Sequence, residues 1–257
     1  MIRPARRLRI DLAYDGTDYS GWQFQTRERT VQGTLERVLT RLQGGEPARA
    51  SGAGRTDAGV HARQQVVDTL LRSRLDDADL HHALRRMLPR DVRPVALRTV
   101  SDSFDARCNA VLKTYRYRLD LSRDGDPFLA RYAMHHRAAL DFDAIKDALR
   151  RFRGRRDWSA MAGAACDKDD RVRDLTVARV DVDGPDEAWF TFTADGFVTH
   201  MVRNLVGTLL EIGRGRIAAE SLDGILASGD RRQAGPTAPP RALVLWSVRY
   251  PGDPPEE

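Results

Sequence analysis

At 257 residues the chain is long enough for two compact domains, each with a core of its own. Hydrophobic residues make up 41% and charged residues 31%, which excludes a disordered chain, and no apolar run approaches the roughly 18 residues of a membrane-spanning helix. The formal charge of +5, carried by 39 arginines and only three lysines, favours a polyanionic partner, although a coding bias toward arginine gives the same composition.

The basic stretch from Met1 to Arg9 is followed by no apolar signal core, so a cytoplasmic protein is expected. Leu8, Ile10, Leu12 and Tyr14 alternate and predict a strand, which runs into a polar, glycine-punctuated loop from Asp15 to Gln23. A helix follows, with Thr30 as its cap, Val31, Leu35, Val38, Leu39 and Leu42 on one face, and Gly44-Gly45 as its stop. Two short strands come next, Ala48–Ser51 and Gln64–Leu71, joined by Gly52-Ala53-Gly54-Arg55-Thr56-Asp57-Ala58-Gly59-Val60-His61-Ala62. A helix from about Asp79 to Leu88 and a strand from Val92 to Val100 complete a β-α-β-β-α-β half, residues 1–104.

Beyond a junction near Ser101–Ala106 the pattern returns over residues 105–250. The expected elements are a strand at Lys113–Leu121, a helix at Asp141–Phe152 ended near Gly154, and strands at Asp174–Val182 and Ala188–Ala194. A helix from about Val198 to Ile212, a short helix at Glu220–Ala227 and a strand at Leu243–Tyr250 follow. The polar, proline-rich residues 251–257 predict a disordered tail. The expected fold is therefore α+β: two ferredoxin-like βαββαβ halves that share an extended, mostly antiparallel sheet with a central cleft.

The chemistry concentrates around one acid. Three glycines within eight residues let the backbone of this stretch take positive φ and pass close to a bound molecule, with Asp57 in its middle and Arg55 two residues earlier. An ordinary turn in which Asp57 bonds its own backbone fits the same residues. A carboxylate that acts as nucleophile or base must stay ionised, and a nearby cation helps it to. Arg55 is one candidate for that cation. Arg203 is another, because on a helical wheel it falls at the border of the stripe formed by Met201, Val202, Leu205, Val206, Leu209 and Leu210, with Gly207, His200 and Asn204 continuing around the polar side. Tyr115 shares a strand face with Tyr117 and could stack on a nucleobase or fill a core. Cys108 and Cys166 lack metal-ligand spacing, and the pairs His81-His82 and His135-His136 have no ligand cluster around them, so these residues point to no metal site.

Gly54-Arg55-Thr56-Asp57-Ala58-Gly59-Val60-His61-Ala62 resembles the signature of the tRNA pseudouridine synthase A (TruA) family. Tyr14-Asp15-Gly16-Thr17 and Gly21-Trp22-Gln23-Phe24-Gln25 resemble its opening motif, and Thr30-Val31-Gln32-Gly33-Thr34-Leu35-Glu36 its first helix. Lys113-Thr114-Tyr115-Arg116-Tyr117 and His200-Met201-Val202-Arg203-Asn204 resemble later motifs in the same order. Two departures stand out: Ala242 where the family has glycine, and Asp157-Trp158-Ser159-Ala160-Met161 in place of a phenylalanine-rich segment. They bear on the cleft wall.

The resemblance implies the pseudouridine synthase fold and isomerisation of uridine to pseudouridine in the anticodon arm of tRNA, at nucleotides 38 to 40. It implies Asp57 as the catalytic aspartate, Arg55 as the residue that displaces the target base, Tyr115 as the base-stacking ring and Arg203 as the ion-pair partner of the aspartate. Whether Asp57 attacks the ribose C1′ or acts as a base at the sugar stays open. It further implies a homodimer that grips one tRNA without cofactor or metal. The competing reading is a non-catalytic RNA-binding module of tandem ferredoxin-like domains, against which neither half shows the aromatic-rich RNP1 pattern.

Overall fold

The computed structural model describes residues 5–164, 166 and 169–253. The chain divides into two compact units, Met1–Val111 with Val244–Glu257, and Leu112–Leu243.

In the first unit the order is β1 (Arg6–Tyr14), α1 (Val31–Leu42), β2 (Ala50–Gly52), β3 (His61–Leu71), α2 (Asp77–Met87) and β4 (Val92–Thr99). β1 lies between β4 and β3, antiparallel to both, and β2 adds to the far edge of β3, which gives the ferredoxin-like order β4-β1-β3-β2. The alternation of β1 puts Leu8, Ile10 and Leu12 in the core, where Val31, Leu35 and Leu39 of α1 and Leu80 and Leu84 of α2 are also fully buried. Each such side chain contributes about 1.5–3 kcal/mol by leaving water. Thr30 caps α1 by accepting from the Gly33 N–H at 3.2 Å, and Gly44 and Gly45 follow its end at φ of 86° and 101°.

In the second unit the order is β5 (Leu112–Asp120), β6 (Met134–His135), α3 (Phe142–Phe152), β7 (Gly154–Asp157), β8 (Val172–Asp183), β9 (Glu187–Ala194), α4 (Met201–Gly213) and α5 (Leu222–Ser228). The sheet runs β5-β9-β8-β7, antiparallel throughout, with β6 parallel to the end of β5. Tyr117, Leu119, Phe190 and Phe192 on the strands and Ile145, Phe152, Leu205 and Leu209 on the helices are fully buried. Trp158 lies in this core rather than on a surface, against Phe152 and with its indole N–H donating to Arg173 O at 3.0 Å.

The expected boundaries differ in three places. The first unit runs on to Val111, not 104, because residues 104–111 bond within it: Ala106 N–H donates to Asp68 Oδ1 at 3.0 Å, and Phe104 packs on Tyr250. The last strand, β10 (Leu243–Arg249), follows α4 in sequence as the pattern requires, yet from Val244 on it belongs to the first unit, pairing in parallel with His61 and Ala62 of β3. Of the expected disordered tail, residues 251–253 form a turn in which Asp253 accepts from Tyr250 N–H and Arg9; residues 254–257 lie outside the described residues.

Candidate active site

β2 and β10 occupy different stretches of the same edge of β3, Val67–Thr69 and His61–Ala62. The connection from β2 into β3, residues 53–60, carries Asp57 and is fastened along its length. Ala53 N–H donates to Val66 O at 2.8 Å, and the buried Gln65 amide donates to Gly54 O at 2.7 Å. Thr56 is held at both ends, its carbonyl accepting from Trp22 N–H at 3.0 Å and its hydroxyl 2.8 Å from the Tyr14 hydroxyl. Burial lifts the Tyr14 phenol well above its ordinary pKa, so it stays a neutral partner. Val60 N–H closes a turn on Asp57 O at 3.1 Å, and Gly59 allows it with φ of 78°.

A second loop, residues 15–23, lies directly on the first. A Cβ at Gly16 would stand 2.0 Å from Val60 O, and one at Gly21, where φ is 88°, 2.6 Å from Thr56 O. The glycines of the two motifs therefore serve a contact of backbone on backbone. His61 Nδ1 accepts from Gly16 N–H at 3.1 Å and ties the same loops together. Within this frame Asp57 is half-buried and Arg55 exposed, with Arg55 Nε donating to Gln23 Oε1 at 3.1 Å.

The other two candidates belong to the second unit. Tyr115 on β5 is mostly buried, its ring edge-on to Phe197 with centroids 5.1 Å apart. Arg203, half-exposed in the first turn of α4, donates from Nε to Ala238 O at 2.8 Å, and Ala238 N–H returns to Arg203 O at 3.1 Å. The polar side of α4 is covered by the segment around residues 231–239. Asn204 is fully buried, giving its amide hydrogens to Met161 O at 2.8 Å and accepting from Thr237 and Arg231 at 2.7 and 2.9 Å. Gly207 meets the same segment, since a Cβ there would be 1.6 Å from Pro236 O. Tyr117 donates to Pro239 O at 3.0 Å; burial raises its pKa, with the cations Arg241 and Arg203 pulling the other way. Among the described residues no three His, Cys, Asp or Glu side chains gather to hold a metal, and no helix is long and apolar enough to cross a membrane.

A profile described as tRNA pseudouridine synthase matches residues 12–108 and 148–251. The chain belongs to the tRNA pseudouridine synthase family. Among its relatives is a protein named tRNA pseudouridine synthase A from Geobacillus sp. (strain WCH70), 41% identical over 249 residues, covering 96% of this chain and 99% of the relative. Proteins of the same name from Streptococcus mutans serotype c (strain ATCC 700610 / UA159) and Geobacillus kaustophilus (strain HTA426) are each 40% identical, covering 95% of this chain and 98% and 95% of their own lengths. As a member of this family the protein is an isomerase that acts on uridine in tRNA, and the non-catalytic alternative is not favoured.

Several residues that build this synthase's loop escape a reading of sequence alone. Thr56 sits inside the motif, but its two-ended attachment depends on Tyr14, 42 residues away. Gln65 is a polar residue whose sequence neighbours give no sign of its burial; in the fold it is buried and bonds the loop at Gly54 O. The glycine pair Gly16 and Gly21 is the one signal that marks the covering loop in advance.

Proposed function

We propose that the protein isomerises uridine to pseudouridine at nucleotides 38 to 40 in the anticodon stem-loop of tRNA, with Asp57 as the catalytic nucleophile. The observation that carries this is the fastening of the Asp57 loop, whose backbone is tied to β3 and to the 15–23 loop on either side of the carboxylate. A carboxylate on a loop held this firmly suits attack at a fixed position.

The steps balance without redox or added groups. A carboxylate oxygen of Asp57 bonds to the ribose C1′, and the N1–C1′ bond breaks with its electron pair leaving on uracil N1. The detached ring turns, C5 attacks C1′ and expels the carboxylate, and the proton on C5 is replaced by one on N1. No cofactor or metal is required. Arg203 is assigned as the cation that keeps Asp57 ionised, Tyr115 as the ring against the target base, and Arg55 as the residue that displaces that base from its stack. Unstacking costs a few kcal/mol, and contact with an aromatic ring is worth ~1–3 kcal/mol. The same reading has the enzyme act in the cytoplasm as a homodimer that holds one tRNA across both subunits.

Asp57→Asn tests it. The variant is expected to bind unmodified tRNA as the wild type does and to release no tritium from 5-labelled uridine; residual turnover would refute the assignment. Deuterium at the ribose C2′ separates the two roles of the acid. Attack at C1′ leaves the rate nearly unchanged, whereas a severalfold slowing would show a base removing that proton instead.

A further inference from the structure

Arg55 is not held by its own loop. Its Nε donates to Gln23 Oε1 at 3.1 Å, and Gln23 Nε2 donates in turn to Gln32 Oε1 at 2.9 Å. Gln32 stands in the first turn of α1, where its Nε2 donates to Glu36 Oε1 and to Ala50 O, both at 3.0 Å. Glu36, a buried residue, is fixed there because its Oε1 also accepts from Ala50 N–H at 3.0 Å.

The polarity of this chain follows from groups that have only one role. Ala50 O can only accept, so the Gln32 amide must turn its NH₂ toward it, and the same NH₂ meets the Glu36 Oε1 that already accepts from Ala50 N–H. Phe24 N–H, which can only donate, meets Gln32 Oε1 at 2.8 Å and fixes the same orientation from the other side. Gln23 must then offer its NH₂ to Gln32, and its oxygen is left pointing at Arg55. A reversed amide at either position would set donor against donor.

We infer that Gln23 and Gln32 are positioning residues for Arg55: a relay running from Glu36 in α1 holds the guanidinium by Nε and presents its two amino groups to the RNA. A flexible arginine aimed in advance loses less entropy when it engages the target nucleotide. Gln23 is exposed and Gln32 half-exposed, and neither belongs to the apolar core.

The inference rests on the assigned role of Arg55, and a double-mutant cycle separates the two. Gln23→Leu, Arg55→Ala and the double variant are compared by single-turnover pseudouridine formation, tRNA Kd and thermal melting. Gln23→Leu is expected to slow the reaction on the order of tenfold, within the ~10²-fold that a misplaced group can cost, with little change in melting temperature. In the Arg55→Ala background it should cost nothing more. Gln32→Met, which leaves Gln23 in place but unoriented, should give a smaller loss that also vanishes without Arg55. An additive cycle, or wild-type rates for Gln23→Leu beside a slow Arg55→Ala, would overturn the relay. A wild-type rate for Arg55→Ala would instead remove the role of Arg55, and the relay with it.

Discussion

Gly21 and Gly44 have almost the same backbone, with φ of 88° and 86°, and differ in what surrounds them. A Cβ at Gly44 would meet nothing within 4 Å, whereas one at Gly21 would press on Thr56 O, one residue from Asp57. Left-handed strain alone costs an alanine roughly 1–2 kcal/mol. Gly44→Ala should therefore lower the melting temperature a little and leave the rate intact. Gly21→Ala should carry the same strain and also push the two loops apart, with a loss of turnover on the order of 10²-fold, since an ångström at the reacting group costs that much. Melting curves and steady-state rates on unmodified tRNA check both, and equal activity in the two variants would mean the loop contact does not set the position of Asp57. Asp57 was singled out in sequence by the resemblance of its loop to the family signature, since a glycine-flanked acid by itself fits an ordinary turn. Thr56, Tyr14 and Gln65 were not, because their roles depend on contacts between segments distant along the chain.

Long periodic elements could be read from their spacing, and the misses share a physical cause. β6 has two residues and β7 reads Gly-Arg-Arg-Asp, so neither shows an alternation. α4 starts at Met201 rather than near Val198 because His200 takes the left-handed conformation, φ 61°, the single non-glycine to do so among the described residues. The wheel placed Arg203 at the border of the apolar stripe, but it could not show that the polar side, Asn204 and Gly207 included, is covered by a later segment. That cover is testable at Gly207. Alanine there collides with Pro236 O, so Gly207→Ala should shift the segment, take Ala238 O away from Arg203 Nε and lower kcat, at about 1–3 kcal/mol of stability. An unaltered kcat in a folded variant would detach the segment from the role proposed for Arg203. At β6 the next residue, His136, makes a pH-dependent contribution. Burial, then the neighbouring Arg214, hold its pKa below the ordinary value, and Arg214 Nη2 lies 3.3 Å from its Nδ1. A base with a lowered folded pKa favours the native state while neutral, so its contribution is complete above about pH 6.5 and fades as the pH falls toward the folded value. Melting temperature should fall below about pH 6.5, and His136→Asn, which retains an acceptor but does not titrate, should flatten that decline. Parallel curves would assign the decline to other groups.

Thirty-nine arginines say little about which of them meet RNA, because the fold already engages many with carboxylates. Arg9 is paired with Asp11 and Asp253, Arg118 with Glu187, and Arg151 with Asp147 and Asp223. The excess that composition reports is thus distributed unevenly, and salt dependence can distinguish its parts. Each phosphate neutralised releases condensed counterions and steepens the fall of log K with log salt by about 0.7 for single strands and 0.9 for duplex. An exposed arginine whose amino groups are presented to the nucleic acid, as proposed for Arg55, should lower the slope by about that amount when changed to alanine. Arg151→Ala should leave the slope as it is, since its charge is already met by two carboxylates. Asp57→Asn should shift the slope no further than experimental error, because a carboxylate with the role proposed for Asp57 makes no phosphate contact. Filter binding of unmodified tRNA across a salt series reads all three. A slope unchanged in Arg55→Ala would show that this side chain handles the base without neutralising a phosphate.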